Sequence, residues 1–173
     1  MNRAISSLSK PLAILPFAGA VLPACSGDDA AAPSCAIALS GDTNETAELA
    51  PDCATVRARG DSGSAGGFVL ELDGQTRELG SIRIVIPLGA HPSPGAFDSG
   101  TVSDWSAVAA VTGDSTCTYA AGTESVPNGS FSLSLTSADA ASAHGTIDVT
   151  LYVHAPEFTD CGPSDTEAIV LTF

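Results

Sequence analysis

Basic charge is scarce in this sequence. Six lysines and arginines stand against 20 aspartates and glutamates in 173 residues, a formal net charge of −14. Rows of phosphates are neutralised by clustered Lys and Arg, so a nucleic-acid ligand is excluded. Aromatic residues make up only 5% of the chain, so packing must rest on aliphatic side chains and covalent ties. No apolar run reaches the roughly 18–20 residues that cross a bilayer as a helix. His91, His144 and His154 have no metal-ligand spacing among them, and surface or turn-packing roles suit them better. There is no EF-hand-like run of alternating aspartates. Loops of an acidic protein can still assemble a calcium site that no single stretch displays. Helical periodicity is nearly absent too. Only residues 43–49 suggest a helix, with Asp42 and Glu45 spaced as a capping box.

What is present begins with an address. Residues 1–10 carry Arg3 and Lys10 and no acid, and residues 11–24 are almost wholly apolar. A positive start, a short apolar stretch and small residues before a cut make a secretory signal. Its length and its prolines, Pro11, Pro16 and Pro23, suit it poorly to a spanning helix. It ends Leu22-Pro23-Ala24-Cys25-Ser26, which resembles the lipobox of bacterial lipoproteins. The resemblance covers four residues, and Pro23 departs from the small residue usual at its place. It implies that residues 1–24 are removed and that Cys25 becomes an acylated N-terminus anchored in the cell envelope. Ser26 in place of Asp implies the outer membrane, by the enterobacterial sorting pattern. Ala18-Gly19-Ala20 offers a competing, ordinary cleavage site after Ala20, which would release a secreted or periplasmic protein.

The cysteines bear on that choice. There are five, Cys25, Cys35, Cys53, Cys117 and Cys161, and an odd count in an exported chain leaves one over. Acylating Cys25 removes it and leaves four for two disulfides. The favoured pairing joins sequence neighbours, Cys35–Cys53 and Cys117–Cys161. Cys35–Cys161 with Cys53–Cys117 is the alternative. Metal binding is disfavoured, because no two cysteines lie closer than 10 residues and an exported protein meets oxidising conditions. Beyond the signal the chain keeps Arg57, Arg59, Arg77 and Arg83 against all 20 acids, a net −16, and contains no lysine. That excludes Schiff-base chemistry and a Walker-type phosphate loop. The excess of acid serves solubility and repels anionic neighbours. Residues 25–34 read as a flexible lipidated tether and residues 35–173 as a single domain.

Most of the domain alternates with period two. Phe68, Leu70 and Leu72 share one face, and Ile82, Ile84 and Ile86 share another, with Asp73-Gly74 between them as a hairpin signal. Phe131, Leu133 and Leu135 alternate with serines, and Ile147, Val149, Leu151 and Val153 with polar residues. Pro127-Asn128-Gly129 is a turn signal ahead of a strand. The expected class is all-β: a disulfide-stapled antiparallel sandwich, or alternatively a small barrel. An offset near 64 also lays one half on the other. Cys53 falls on Cys117, residues 67–72 on 130–135 with a shift of one, and Gly80-Ser81-Ile82 on Gly145-Thr146-Ile147. Duplication of a four-strand unit, near 53–112 and 117–173, would produce this. So would the resemblance between hairpins of similar composition.

Several motifs tempt without carrying chemistry. Arg59-Gly60-Asp61-Ser62 spells an integrin-binding tetrapeptide, but a glycine turn explains it as well. Gly60-Asp61-Ser62-Gly63 resembles the nucleophile segment of chymotrypsin-like proteases, yet every histidine follows the serine and the chain is too short for that double barrel. Phe97-Asp98-Ser99-Gly100-Thr101 and Asp61-Ser62-Gly63-Ser64 resemble aspartic-protease turns, although only 37 residues separate Asp61 from Asp98. Trp105 lies beside Val108 and Val111 and suits the core better than a sugar platform. Asn44-Glu45-Thr46 and Asn128-Gly129-Ser130 are glycosylation sequons that a bacterial lipoprotein would not use.

The expectation is a non-catalytic binding or structural module of the envelope, without a cofactor. Its membrane contact would run through Cys25, and its partner would be a protein or a glycan. The alternatives are a hydrolase using carboxylates near Asp61 and Asp98, or a carrier of calcium or another small ligand.

Overall fold

The computed structural model describes residues 34–59, 67–113, 117–154, 161 and 165–173. They form eleven strands joined by turns and loops: β1 (Ala36–Gly41), β2 (Asn44–Glu48), β3 (Ala54–Arg59), β4 (Gly67–Gly74), β5 (Leu79–Gly89), β6 (Gly95–Asp98), β7 (Ser106–Val111), β8 (Thr118–Ala121), β9 (Ser130–Ala138), β10 (Ala143–His154) and β11 (Thr166–Thr172). There is no helix among the described residues. Every pairing is antiparallel. The all-β class that the alternation demands is therefore present. Its form is one continuous ladder, β2-β1-β11-β10-β8-β7-β5-β4-β3, with β9 and β6 branching from β10.

The ladder curls into a half-barrel, and the long strand β10 is its fork. One edge of β10 pairs with β11. The other edge pairs with β9 along Ala143–Thr150 and with β8 along Tyr152–His154. Two arms thus leave a single strand and fold over one core. Period-two alternation fills that core from both arms: Leu70, Leu72, Ile82, Ile84 and Ile86 from one, Leu133, Ile147, Val149, Ile169 and Leu171 from the other. Trp105 is buried and meets Phe131 edge-on, with centroids 4.9 Å apart, a contact that adds about 1 kcal/mol to the burial itself.

The two ends of the ladder meet. Cys35, ahead of β1, is bonded to Cys53, ahead of β3, with Cα atoms 6.3 Å apart. Glu45 on β2 accepts the backbone N–H groups of Arg77 and Glu78 from the β4–β5 connection, at 3.2 and 3.0 Å. The Glu78 N–H and the Thr76 hydroxyl hold the Glu45 carboxyl below its usual range. A disulfide and a carboxylate thus stand where a closed barrel would have a strand pair. The second disulfide joins Cys117, ahead of β8, to Cys161, between β10 and β11. Both bridges pair sequence neighbours.

Two local expectations are corrected. Residues 43–49 hold strand β2 rather than a helix. Its β-branched Thr46 fits the pleat, and its register against β1, Ala36↔Glu48 to Ser40↔Asn44, satisfies the backbone that a single helical turn would leave open. Asp42 and Glu45 serve distant partners rather than a capping box. Asp73-Gly74 is not the hairpin turn either. The strand runs through both residues, and the connection is residues 75–78, closed by Thr76, whose hydroxyl accepts the Leu79 N–H at 3.0 Å. A Cβ at Gly74 would lie 2.7 Å from Leu49 Cδ1, the far end of a side chain that can move aside.

The strands matched by the 64-residue offset occupy comparable places in part. β4-β5-β7 is one three-strand meander and β9-β10-β11 another. The leading strands differ, since β3 pairs with β4 while β8 pairs with β7 and β10.

Candidate functional site

The most chemically unusual place in the domain lies where the β1–β2 turn, β8 and β11 converge. Along β11, Glu167, Ile169, Leu171 and Phe173 all point inward, and Glu167 is the one charged side chain buried among the described residues. Its Oε2 accepts the Thr43 N–H at 2.9 Å and its Oε1 accepts the Thr43 hydroxyl at 2.5 Å. Beside it, the fully buried Tyr119 hydroxyl donates to Asp42 Oδ2 at 2.9 Å, with the Cys161 carbonyl oxygen 3.2 Å away. Asp42 also bonds through its backbone N–H to the Thr166 carbonyl, at 3.2 Å.

Burial pushes the Glu167 carboxyl up from its ordinary value. The Thr43 hydroxyl and N–H oppose this, and the Asp42 charge adds to it. Burial, and then the bond to Asp42, drives the Tyr119 phenol far above its usual range, so it stays a donor at any physiological pH. The group is closed to solvent at Glu167 and Tyr119. Its chemistry is that of a clamp, tying the β1–β2 turn to β8 and β11, since neither buried group can reach a ligand. Period two could have disclosed Glu167, because it falls in phase with Ile169 and Leu171. Nothing in the sequence couples Asp42 to Tyr119, 77 residues away.

The residues singled out from sequence are dispersed. Asp98 ends β6 on the surface. Its Oδ1 accepts the N–H groups of Gly100 and Thr101, each at 2.9 Å, and the Thr101 hydroxyl at 3.1 Å. That is the work of a turn-forming aspartate. Asp61, with the Gly60-to-Ser64 motifs, lies outside the described residues, as do residues 1–24 and Cys25. His91 and His154 are exposed and His144 is half-buried. No group of three or more His, Cys, Asp or Glu among the described residues is placed to hold a metal ion. Asn44 and Asn128 are exposed.

The surface depressions are shallow. One of about 470 Å³ runs between the end of β5 and β6, lined by Leu88, Phe97, Thr101, Val102 and Ser103. Another, of about 380 Å³, lies against β1, β2 and β11. Between them their linings hold a single ionisable side chain, Glu48.

No family model matches the chain, and no curated protein or solved structure matches it either.

Proposed function

We propose that this protein is a lipid-anchored lipoprotein of the bacterial cell envelope, whose domain is a non-catalytic binding or structural module. One observation carries the anchor. The four domain cysteines are consumed pairwise in two disulfides, which leaves Cys25 of the lipobox-like Leu22-Pro23-Ala24-Cys25 as the single thiol to be acylated. Two disulfides also favour an oxidising compartment, which an exported chain reaches. For the domain, the support is the work its polar groups already do. Asp98 closes a turn, and Asp42, Tyr119 and Glu167 clamp three elements together. The hydrolase alternative gains no support from Asp98.

The test is expression of the whole chain in a bacterium fed labelled palmitate. The label enters the wild-type protein and fractionates with membranes. With Cys25→Ser it enters nothing, and the chain leaves the membrane fraction. Equal labelling of both forms would overturn the anchor. A substrate turnover abolished by Asp98→Ala, with the fold intact, would overturn the non-catalytic reading.

A further inference from the structure

The outer face of the β3–β4–β5–β7 arm gathers nearly all the positive charge of an acidic domain. Arg57 and Arg59 occupy outward positions on β3, and Arg83 does so on β5. Between them on β4, Glu71 meets Arg57 at 3.4 Å and Arg83 at 3.3 Å. The Glu71 side chain is only 14% exposed, against 65% for Arg57 and 60% for Arg83. The carboxylate is sunk and the guanidiniums stand outermost. Arg59 has no ion-pair partner among the described residues.

The same face carries exposed apolar groups. One cross-strand row runs Asp73, Arg83, Val108, Ala120, Tyr152 over β4, β5, β7, β8 and β10. Val108 is 41% and Tyr152 39% exposed, two of the three exposed large hydrophobics, and Ala120 between them is covered. Arginines beside exposed aliphatic and tyrosine side chains are what settles at a lipid headgroup layer. The cations meet phosphate while the amphipathic ring spans the boundary.

The row begins where the chain enters the domain. Asp73 donates its N–H to the Cys53 carbonyl at 2.8 Å, and Cys53 is bonded to Cys35. Nine residues, 26–34, separate Cys25 from Cys35, a reach of at most about 35 Å. The geometry points to this face as the surface that rests on anionic phospholipid headgroups once Cys25 is anchored. The inference rests on the lipoprotein reading. The outer face of β2, β1 and β11, with Glu48 and Val170 and no arginine, is then turned away. The net negative charge does not forbid this, because salt screens charges beyond about 8 Å at physiological strength. The tether holds the face at an effective concentration of order millimolar, so a weak contact suffices.

The test uses the mature acylated chain in lipid discs containing phosphatidylglycerol and headgroup spin label, read by side-chain NMR. Val108 and Tyr152 should broaden severalfold more than Val170, the third exposed hydrophobic, which lies on β11. The contrast should shrink in discs of phosphatidylcholine alone. Each arginine is worth about fivefold in headgroup partition, so the triple change R57Q/R59Q/R83Q should erase the contrast. The corresponding triple lysine variant should keep it, which separates lost charge from lost fold. An acylated chain in which Val170 broadens as much as Val108 and Tyr152 overturns this face alone. So does one whose contrast survives the glutamine changes. A chain that carries no acyl group overturns both the anchor and the face.

Discussion

Glu167 occupies a place where the alternation of β11 demands an apolar side chain. Its carboxylate is enclosed, so its ionised form is disfavoured and its pKa lies above the ordinary 4.5. A carboxyl raised in the folded state contributes stability that is complete below the unfolded pKa and is lost as pH rises through the folded one. Glu167→Gln keeps the contacts, since the amide oxygen can accept the Thr43 N–H while the amide nitrogen donates to the Thr43 hydroxyl. The variant should therefore be more stable than wild type at pH 7–8, by a margin that closes as pH falls below about 4.5. Thermal midpoints of the two proteins across that range measure it, and a margin independent of pH would contradict it. Tyr119→Phe is the complementary change. It removes the charge-assisted hydrogen bond from the Tyr119 hydroxyl to Asp42 Oδ2 and should cost about 2 kcal/mol in denaturant unfolding. Glycine at 122 is also required, where φ is +63° and a Cβ would lie 2.7–2.9 Å from the Trp105 carbonyl and indole. Gly122→Ala should destabilise far more than Gly74→Ala, whose added methyl meets only the movable end of Leu49.

At the scale of elements, the disulfides divide the work of closing the sheet. Cys35–Cys53 closes 18 residues and Cys117–Cys161 closes 44, so their removal should cost about 3 and about 4 kcal/mol through the unfolded chain. Unfolding of the two double-alanine variants measures this, and a smaller loss from the longer loop would show that native contacts outweigh chain entropy. The strands that could be read from sequence are the long ones with clean alternation, β4, β5, β9 and β10, because one buried face imposes period two on them. The short or polar strands escaped. β2 looked helical because Asp42 and Glu45 have cap spacing, although both serve partners contributed by other strands. β6 is a four-residue strand among Gly and Pro and shows no pattern of its own. The pairing of cysteines was legible by proximity in sequence. The clamp at Glu167 was half legible, since its phase is visible and its partners are not.

For the whole molecule, what the sequence leaves unsaid is order. The first strand pairs with the last, β1 with β11, and β10 serves two arms at once. Local alternation constrains neither fact, because the first is a pairing across more than a hundred residues and the second depends on which strands share the two edges of β10. The order brings Cys35, ahead of β1, against Cys53, ahead of β3, at one end of the arginine-bearing arm.

The proposed anchor is tested most directly by the intact mass of the mature protein recovered after expression of the whole chain in a bacterium. The account predicts a chain that begins at Cys25, carries the mass of a diacylglycerol and fatty-acyl modification, and offers no thiol to alkylation without reduction. A chain that begins at Val21 with an unmodified, alkylatable Cys25 would contradict it.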